Sequence, residues 1–283
     1  MKPNIHLTSL LAFDRPSGHA FVDALRHVFY KLKKLDVNVT MAMNALDEGA
    51  DCNLVFGTYG NVELVEKTRS IVFNLEQLGP GGFDRSGRYT EFLRRVPVVD
   101  YTPDNVFYYR NEEKNSFVLP FFHGDHLKAP ALPLEDRPID VLFFGTLNDR
   151  RLDAIDRIRS TGVKVAIPSR PTYGPERDEI VRRSKAVFNW GYYETNRFEQ
   201  VRASLCLSLG TPFISERRSA PEAYERAVFW ADDLEGFFGE RFKTKEFYRE
   251  ANEKLEYFSQ IDDLGTYEKL VEFMLSRYQG DER

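Results

Sequence analysis

Hydrophobic and polar positions along the chain fall into short runs of two kinds that take turns. Apolar or β-branched runs occur at NIHLTSLLAF (4–13), DVNVTMAM (36–43), CNLVFGTYG (52–60), SIVFNLEQL (70–78), RVPVVDYT (95–102) and SFVLPFF (116–122). Several are separated by stretches with helical spacing or helix-starting residues. HGDHLKAPALPLEDRP (123–138) has Pro130, Pro133 and Pro138 and neither period, so it reads as a linker. The alternation then restarts, with IDVLFFGTL, VKVAI, AVFNWGYY, TPFIS and RAVFWAD as strands. Between them RRLDAIDRIRS, GPERDEIVRRSK and FEQVRASLCLSLG have helical spacing, and Leu234 to Tyr278 is helical in pattern. Continuous apolar strands alternating with helices predict parallel sheets covered on both faces. The expected organisation is two α/β domains, 1–125 and 139–283, with a linker at 126–138 and a helical C-terminal tail.

Composition narrows the function classes. A chain of 283 residues, 42% hydrophobic and 29% charged, is globular. Its formal charge of -5 argues against a general nucleic-acid binder, which needs a basic field, while leaving room for a local basic pocket. Cys52 and Cys206 are far apart and inside core-like runs, so neither a disulfide scaffold nor a CxxC zinc site is supported. No run approaches the roughly 20 apolar residues of a membrane span and no signal peptide is evident, which points to a cytoplasmic protein and leaves peripheral membrane contact open. Neither G-x-G-x-x-G nor G-x-x-x-x-G-K-[ST] occurs, which weakens dinucleotide oxidoreductase and P-loop readings. The only tight His/Asp group is HGDH, too few ligands for zinc, and no Asp-x-Asp follows a strand; no metal and no cofactor are expected.

Parallel sheets bind ligands at the carboxyl ends of their strands. There, Gly145 permits a tight turn and Asn148 precedes a helix start, whose unpaired N–H groups and positive dipole end attract an anion. Arg150 and Arg151 beside it could grip a diphosphate by forked, charged donors, or could be solvated first-turn residues paired with Asp149 or Asp153. In the helix before Gly210, Glu199 and Arg202 share a face apart from the stripe of Phe198, Val201, Leu205 and Leu209. They suit either ribose and phosphate or an ordinary surface ion pair.

The order VLFFGTLNDRR followed by YGPERDEIVRRSKAVFNWGYYETNRFEQVRASLCLSLGTPFISE resembles the nucleotide-binding domain of glycosyltransferases of the GT-B fold, two Rossmann-like domains facing across a cleft. The resemblance implies a donor site of Gly145, Asn148, Arg150, Arg151, Tyr173, Glu199 and Arg202, holding a nucleoside diphosphate sugar. It also implies transfer to a glycan or other hydroxyl acceptor, in cell-surface polysaccharide synthesis. Better-known members carry a glutamate five residues before the glycine of G-T-P, where this chain has Leu205. RPSGHAFVDALRHVFYKLKKLDVNVT similarly resembles the first loop and helix of sugar transferases, which puts His19 in the general-base position of inverting members with Asp14 to orient it. Glu76 is a further catalytic candidate. Gln77 and Asp100 are acceptor-binding candidates from FNLEQLGPGG and VVDYTPDN, with Asp100 equally able to cap the helix after it. Two other readings remain: a non-catalytic transferase-like scaffold subunit, and a nucleotide-sugar epimerase of the same fold. Oligomeric state is not written in the sequence.

Overall fold

The computed structural model describes residues 2–10, 19–57, 62–110, 115–193 and 197–278. Two compact units result, Met1–Phe121 together with Asp262–Arg283, and Phe122–Ile261. The first carries β1 (Asn4–Ser9), α1 (Val22–Leu32), β2 (Asn38–Met43), β3 (Cys52–Phe56), α2 (Val62–Glu66), β4 (Ser70–Asn74), α3 (Arg88–Leu93), β5 (Val98–Asp100), α4 (Pro103–Tyr109) and β6 (Ser116–Val118). The second carries β7 (Ile139–Leu142), α5 (Asp149–Ser160), β8 (Val165–Ala166), α6 (Gly174–Arg182), β9 (Ser184–Asn189), α7 (Gln200–Ser208), β10 (Phe213–Ser215), α8 (Glu222–Ala227), β11 (Phe229–Trp230), α9 (Leu234–Gly236) and α10 (Lys245–Ser259). The last helix, α11 (Leu264–Ser276), belongs to the first unit.

Both sheets are parallel throughout, in the orders β2-β1-β3-β4-β5-β6 and β11-β10-β9-β7-β8. Every residue of β3 and β4 is buried, as strands covered on both faces require. In the second sheet the two-residue period sends Val141, Phe188 and Ile214 into one apolar layer and Leu142, Val187 and Phe213 into the other. Both cysteines are buried and free, and burial pushes the Cys52 thiol up to about 12.

Two parts of the chain differ from the sequence expectation. The proline-rich segment expected to link domains is packed onto the second unit by Arg137, which is 4% exposed. Its guanidinium donates to the carbonyls of Leu132, Ser184 and Gly210 and to Thr211 Oγ1, at 2.9–3.1 Å. Burial lowers its pKa to about 10, so it stays charged at neutral pH. The helical tail also divides. Helix α10 buries Phe247, Ala251 and Phe258 in the second unit, whereas α11 turns a stripe of Tyr267, Leu270, Val271 and Met274 into the first. There the Tyr278 hydroxyl donates to the Ser70 carbonyl, and Lys31 of α1 forms a buried ion pair with Asp263.

Candidate functional site

The strand order defines where a ligand belongs in the second unit. The chain leaves β7 toward β8 on one side and resumes with β9 on the other, so the switch point lies between β7 and β9, and ligands of open α/β sheets bind at the carboxyl ends beside such a point. The segment after β7 contains Gly145, at φ 138°, a backbone conformation that favours glycine. A Cβ there would lie 3.1 Å from an Arg202 nitrogen and 3.3 Å from one of Arg151. The glycine is thus what lets two guanidinium groups approach the backbone.

Asn148 ends this turn and begins α5. Its side-chain oxygen accepts from the Arg151 N–H at 3.1 Å, and its amide donates to the Tyr192 carbonyl at 2.8 Å. The cap thereby ties the helix start to the segment after β9.

Four arginines and two glutamates gather around this point. Arg151 is 2% exposed and donates to the carbonyls of Trp190 at 2.7 Å and Thr146 at 2.8 Å, and to Glu199 at 3.0 Å. Its guanidinium also stacks near the Phe143 and Tyr192 rings. Burial lowers its pKa to about 10, with the Glu199 charge opposing, so it remains a cation at neutral pH. Arg202 bonds Glu199 at 2.9 Å and the Asn189 side chain at 2.7 Å. Arg150 lies over the Trp190 ring and grips Glu216 with both terminal guanidinium nitrogens, at 3.0 and 2.5 Å, while also donating to the Gly191 carbonyl. Arg218 reaches the same carboxylate at 2.7 Å. Each glutamate therefore holds two arginines, and among the described residues the cluster counts four arginines to two glutamates. Arg150, Arg202 and Arg218 keep 29%, 19% and 23% of their side chains exposed.

The expected donor residues Gly145, Asn148, Arg150, Arg151, Glu199 and Arg202 are thus brought together. Arg151 is turned inward as a support, however, because its donors meet internal carbonyls and Glu199. Glu199 precedes α7 with non-helical angles, and its carboxylate joins two arginines. Tyr173 stands half-buried on the connection leaving β8, immediately before α6. Glu216, Arg218, Asn189 and Trp190 were not foreseen from the sequence. Glu216 directly follows TPFIS, and the rule that ligands gather at strand carboxyl ends is the signal that could have found it.

In the first unit, Asp100 ends β5 fully buried and accepts from Asn74 (2.7 Å), the Thr102 N–H (3.1 Å), Asn105 (3.2 Å) and the Tyr109 hydroxyl (3.1 Å). Burial pushes its carboxyl up to about 7, the four donors opposing only in part. The cap of α4 is Thr102, not Asp100. Asp100 organises the loops from beneath, since Asn74 and Asn105 also donate to the Glu76 carbonyl and Asn105 accepts from Leu78. Glu76 and Gln77 are half-buried in that loop. His19 is exposed just before α1, and Asp14 lies outside the described residues.

No family model matches the chain. Among solved structures, an α1,3-fucosyltransferase resembles it with a TM-score of 0.57 over 99% of this chain and 91% of its own, at 12% identity. A DNA-modifying β-glucosyltransferase, solved with and without its substrate uridine diphosphoglucose, gives 0.55 over 97% and 98%, at 11% identity. A UDP-N-acetylglucosamine 2-epimerase gives 0.52 over 98% and 97%, at 12%. The chain has the GT-B fold. In sequence it is 27% identical over 167 residues to an uncharacterized protein of Acanthamoeba polyphaga mimivirus, covering 54% of this chain and 51% of that one. A second protein of the same virus is 24% identical over 158 residues, covering 54% and 21%. The chain therefore spans about half the length, or less, of the curated relatives it matches. Among the described residues no helix is long and apolar enough to cross a membrane.

Proposed function

We propose that this protein is a glycosyltransferase that moves a sugar from a nucleoside diphosphate donor to a hydroxyl acceptor without a metal ion. The observation that carries the reading is the arginine cluster at the switch point between β7 and β9, where four arginines meet two glutamates among the described residues and three of the arginines are partly exposed. A sugar diphosphate is an anion whose charge grows at the leaving oxygen as the glycosidic bond breaks. Fixed guanidinium groups and the start of α5 stabilise that developing charge without reorganising. His19, exposed before α1, is the group proposed to take the proton of the acceptor hydroxyl. The acceptor is proposed to be another sugar in cell-surface glycan synthesis, and the compartment the cytoplasm. The β-glucosyltransferase of the same fold has uridine diphosphoglucose as its substrate, which supports a nucleotide sugar as the partner here.

The epimerase likeness keeps a second reading in view, and one experiment separates them. Titration calorimetry with UDP, GDP, CDP and dTDP identifies the base, after which sugar consumption is followed with and without candidate acceptors. Consumption that requires the acceptor supports a transferase, and His19→Ala then lowers turnover by about 100-fold to 10,000-fold with diphosphate binding unchanged. Interconversion without an acceptor makes it an epimerase, and no diphosphate binding at millimolar concentration ends both readings.

A further inference from the structure

We propose that Glu216 is a positioning residue that holds Arg150 and Arg218 in place for the donor diphosphate, an inference that rests on the nucleotide-sugar reading above. Glu216 directly follows β10 and is 6% exposed. Its two oxygens have about four acceptor directions between them, and four donors fill them. Oε1 accepts from Arg150 at 3.0 Å and from the Gly191 N–H at 2.5 Å; Oε2 accepts from Arg150 at 2.5 Å and from Arg218 at 2.7 Å. A carboxylate so occupied has no lone pair to offer a ribose or sugar hydroxyl, so it acts through the arginines and not on the ligand.

What it joins is specific. Arg150 comes from the first turn of α5, Gly191 from the segment after β9 and Arg218 from the segment after β10, the connections that border the switch point. One buried anion thus gives three separate segments a common anchor. A bidentate pair fixes the plane as well as the place of the Arg150 guanidinium, leaving its remaining edge with a set direction. Glu199 does the equivalent for Arg151 and Arg202. The difference is that Glu199 keeps 17% of its side chain exposed and Glu216 only 8%. Glu216 is the more purely internal of the two holders.

The test is calorimetric binding of UDP, GDP, CDP and dTDP, and of the corresponding uncharged nucleosides, to the full chain. Glu216→Gln keeps the shape but presents an amide N–H to arginine donors. It is expected to weaken the diphosphate that binds wild type by about 10-fold to 100-fold, by analogy with the loss when a partner that orients a metal ligand is removed, and to leave nucleoside binding unchanged. In an Arg150→Met background the same substitution is expected to have a smaller further effect, because only Arg218 then remains for Glu216 to hold. A purely structural role would instead weaken nucleoside and diphosphate alike, and additively. If Glu216→Gln does not fold, Glu216→Asp keeps the charge and withdraws the carboxylate, with the same selective loss expected. Diphosphate affinity equal to wild type in a folded Glu216 variant overturns the positioning role while leaving the nucleotide reading intact. Absence of any diphosphate binding by wild type overturns both.

Discussion

The two units end their central strands in opposite ways. At the end of β5 in the first, the Asp100 carboxylate is enclosed by amide, hydroxyl and backbone donors, none of them charged. Beyond β7, β9 and β10 of the second, two carboxylates are surrounded by four guanidinium groups, three of which still reach solvent. The first arrangement closes on itself and serves the loops above it. The second brings four guanidinium groups to two carboxylates at a switch point among the described residues, and the proposed diphosphate site draws on that excess. Parallel α/β architecture alone does not mark a binding site, so the proposed donor site rests on the charge at these strand ends.

The largest expected effect comes from breaking the second arrangement at its buried member. Arg151→Met removes the cation from between Glu199 and the carbonyls of Trp190 and Thr146. Losing one partner of a buried pair costs about 3 to 5 kcal/mol. Urea unfolding should register a loss of that size, and diphosphate binding should fall with it, because Glu199 then holds Arg202 alone. A variant as stable as wild type would mean that Arg151 is not the support its contacts suggest.

The first arrangement should reveal itself through pH. The Asp100 carboxyl is raised by burial to about 7 from an ordinary 3.8, so between those values the folded chain binds a proton that the unfolded chain has released. Stability from this group is therefore fully present below about pH 4 and lost as pH rises through about 7, a swing of up to about 4 kcal/mol. Unfolding of wild type and Asp100→Asn, compared at a series of pH values, isolates it, since other carboxylates cancel in the difference. A difference that does not change with pH would show that the four donors keep Asp100 ionised throughout. Arg151, at about 10, stays charged across that range and should add no slope of its own.

How far each arrangement was legible follows from how local its determinants are. The strand, glycine turn and capped helix at 139–160 are written within about twenty residues, and Gly145, Asn148, Arg150 and Arg151 could be read there. Which carboxylate each arginine meets could not. Glu199 is 48 positions from Arg151 and Glu216 is 66 from Arg150, and such pairings are decided by strand order. The same limit hid Arg137, whose partners at Ser184, Gly210 and Thr211 turn an apparent linker into part of a domain. In α11 the apolar stripe was visible as a helix, but periodicity specifies a face to be buried and not the surface that buries it.

The smallest expected effect asks whether charge, apart from scaffold, distinguishes the two units. Asn148 caps α5 by accepting from the Arg151 N–H and donates to the Tyr192 carbonyl. Asn148→Ala loses both contacts and should cost about 1 kcal/mol of stability, as cap removal ordinarily does. Asn148→Asp keeps the cap and places a negative charge at the N-terminus of α5, where the dipole favours it, but loses the donor to the Tyr192 carbonyl, so stability should recover only in part relative to the alanine variant. That charge also sits among the arginines and cancels part of their surplus. If the surplus is what binds the diphosphate, the stable aspartate variant must bind it more weakly than the less stable alanine variant, most clearly at low salt. Affinities that instead follow stability would assign the site to the scaffold, and the contrast in charge between the two units would lose its functional meaning.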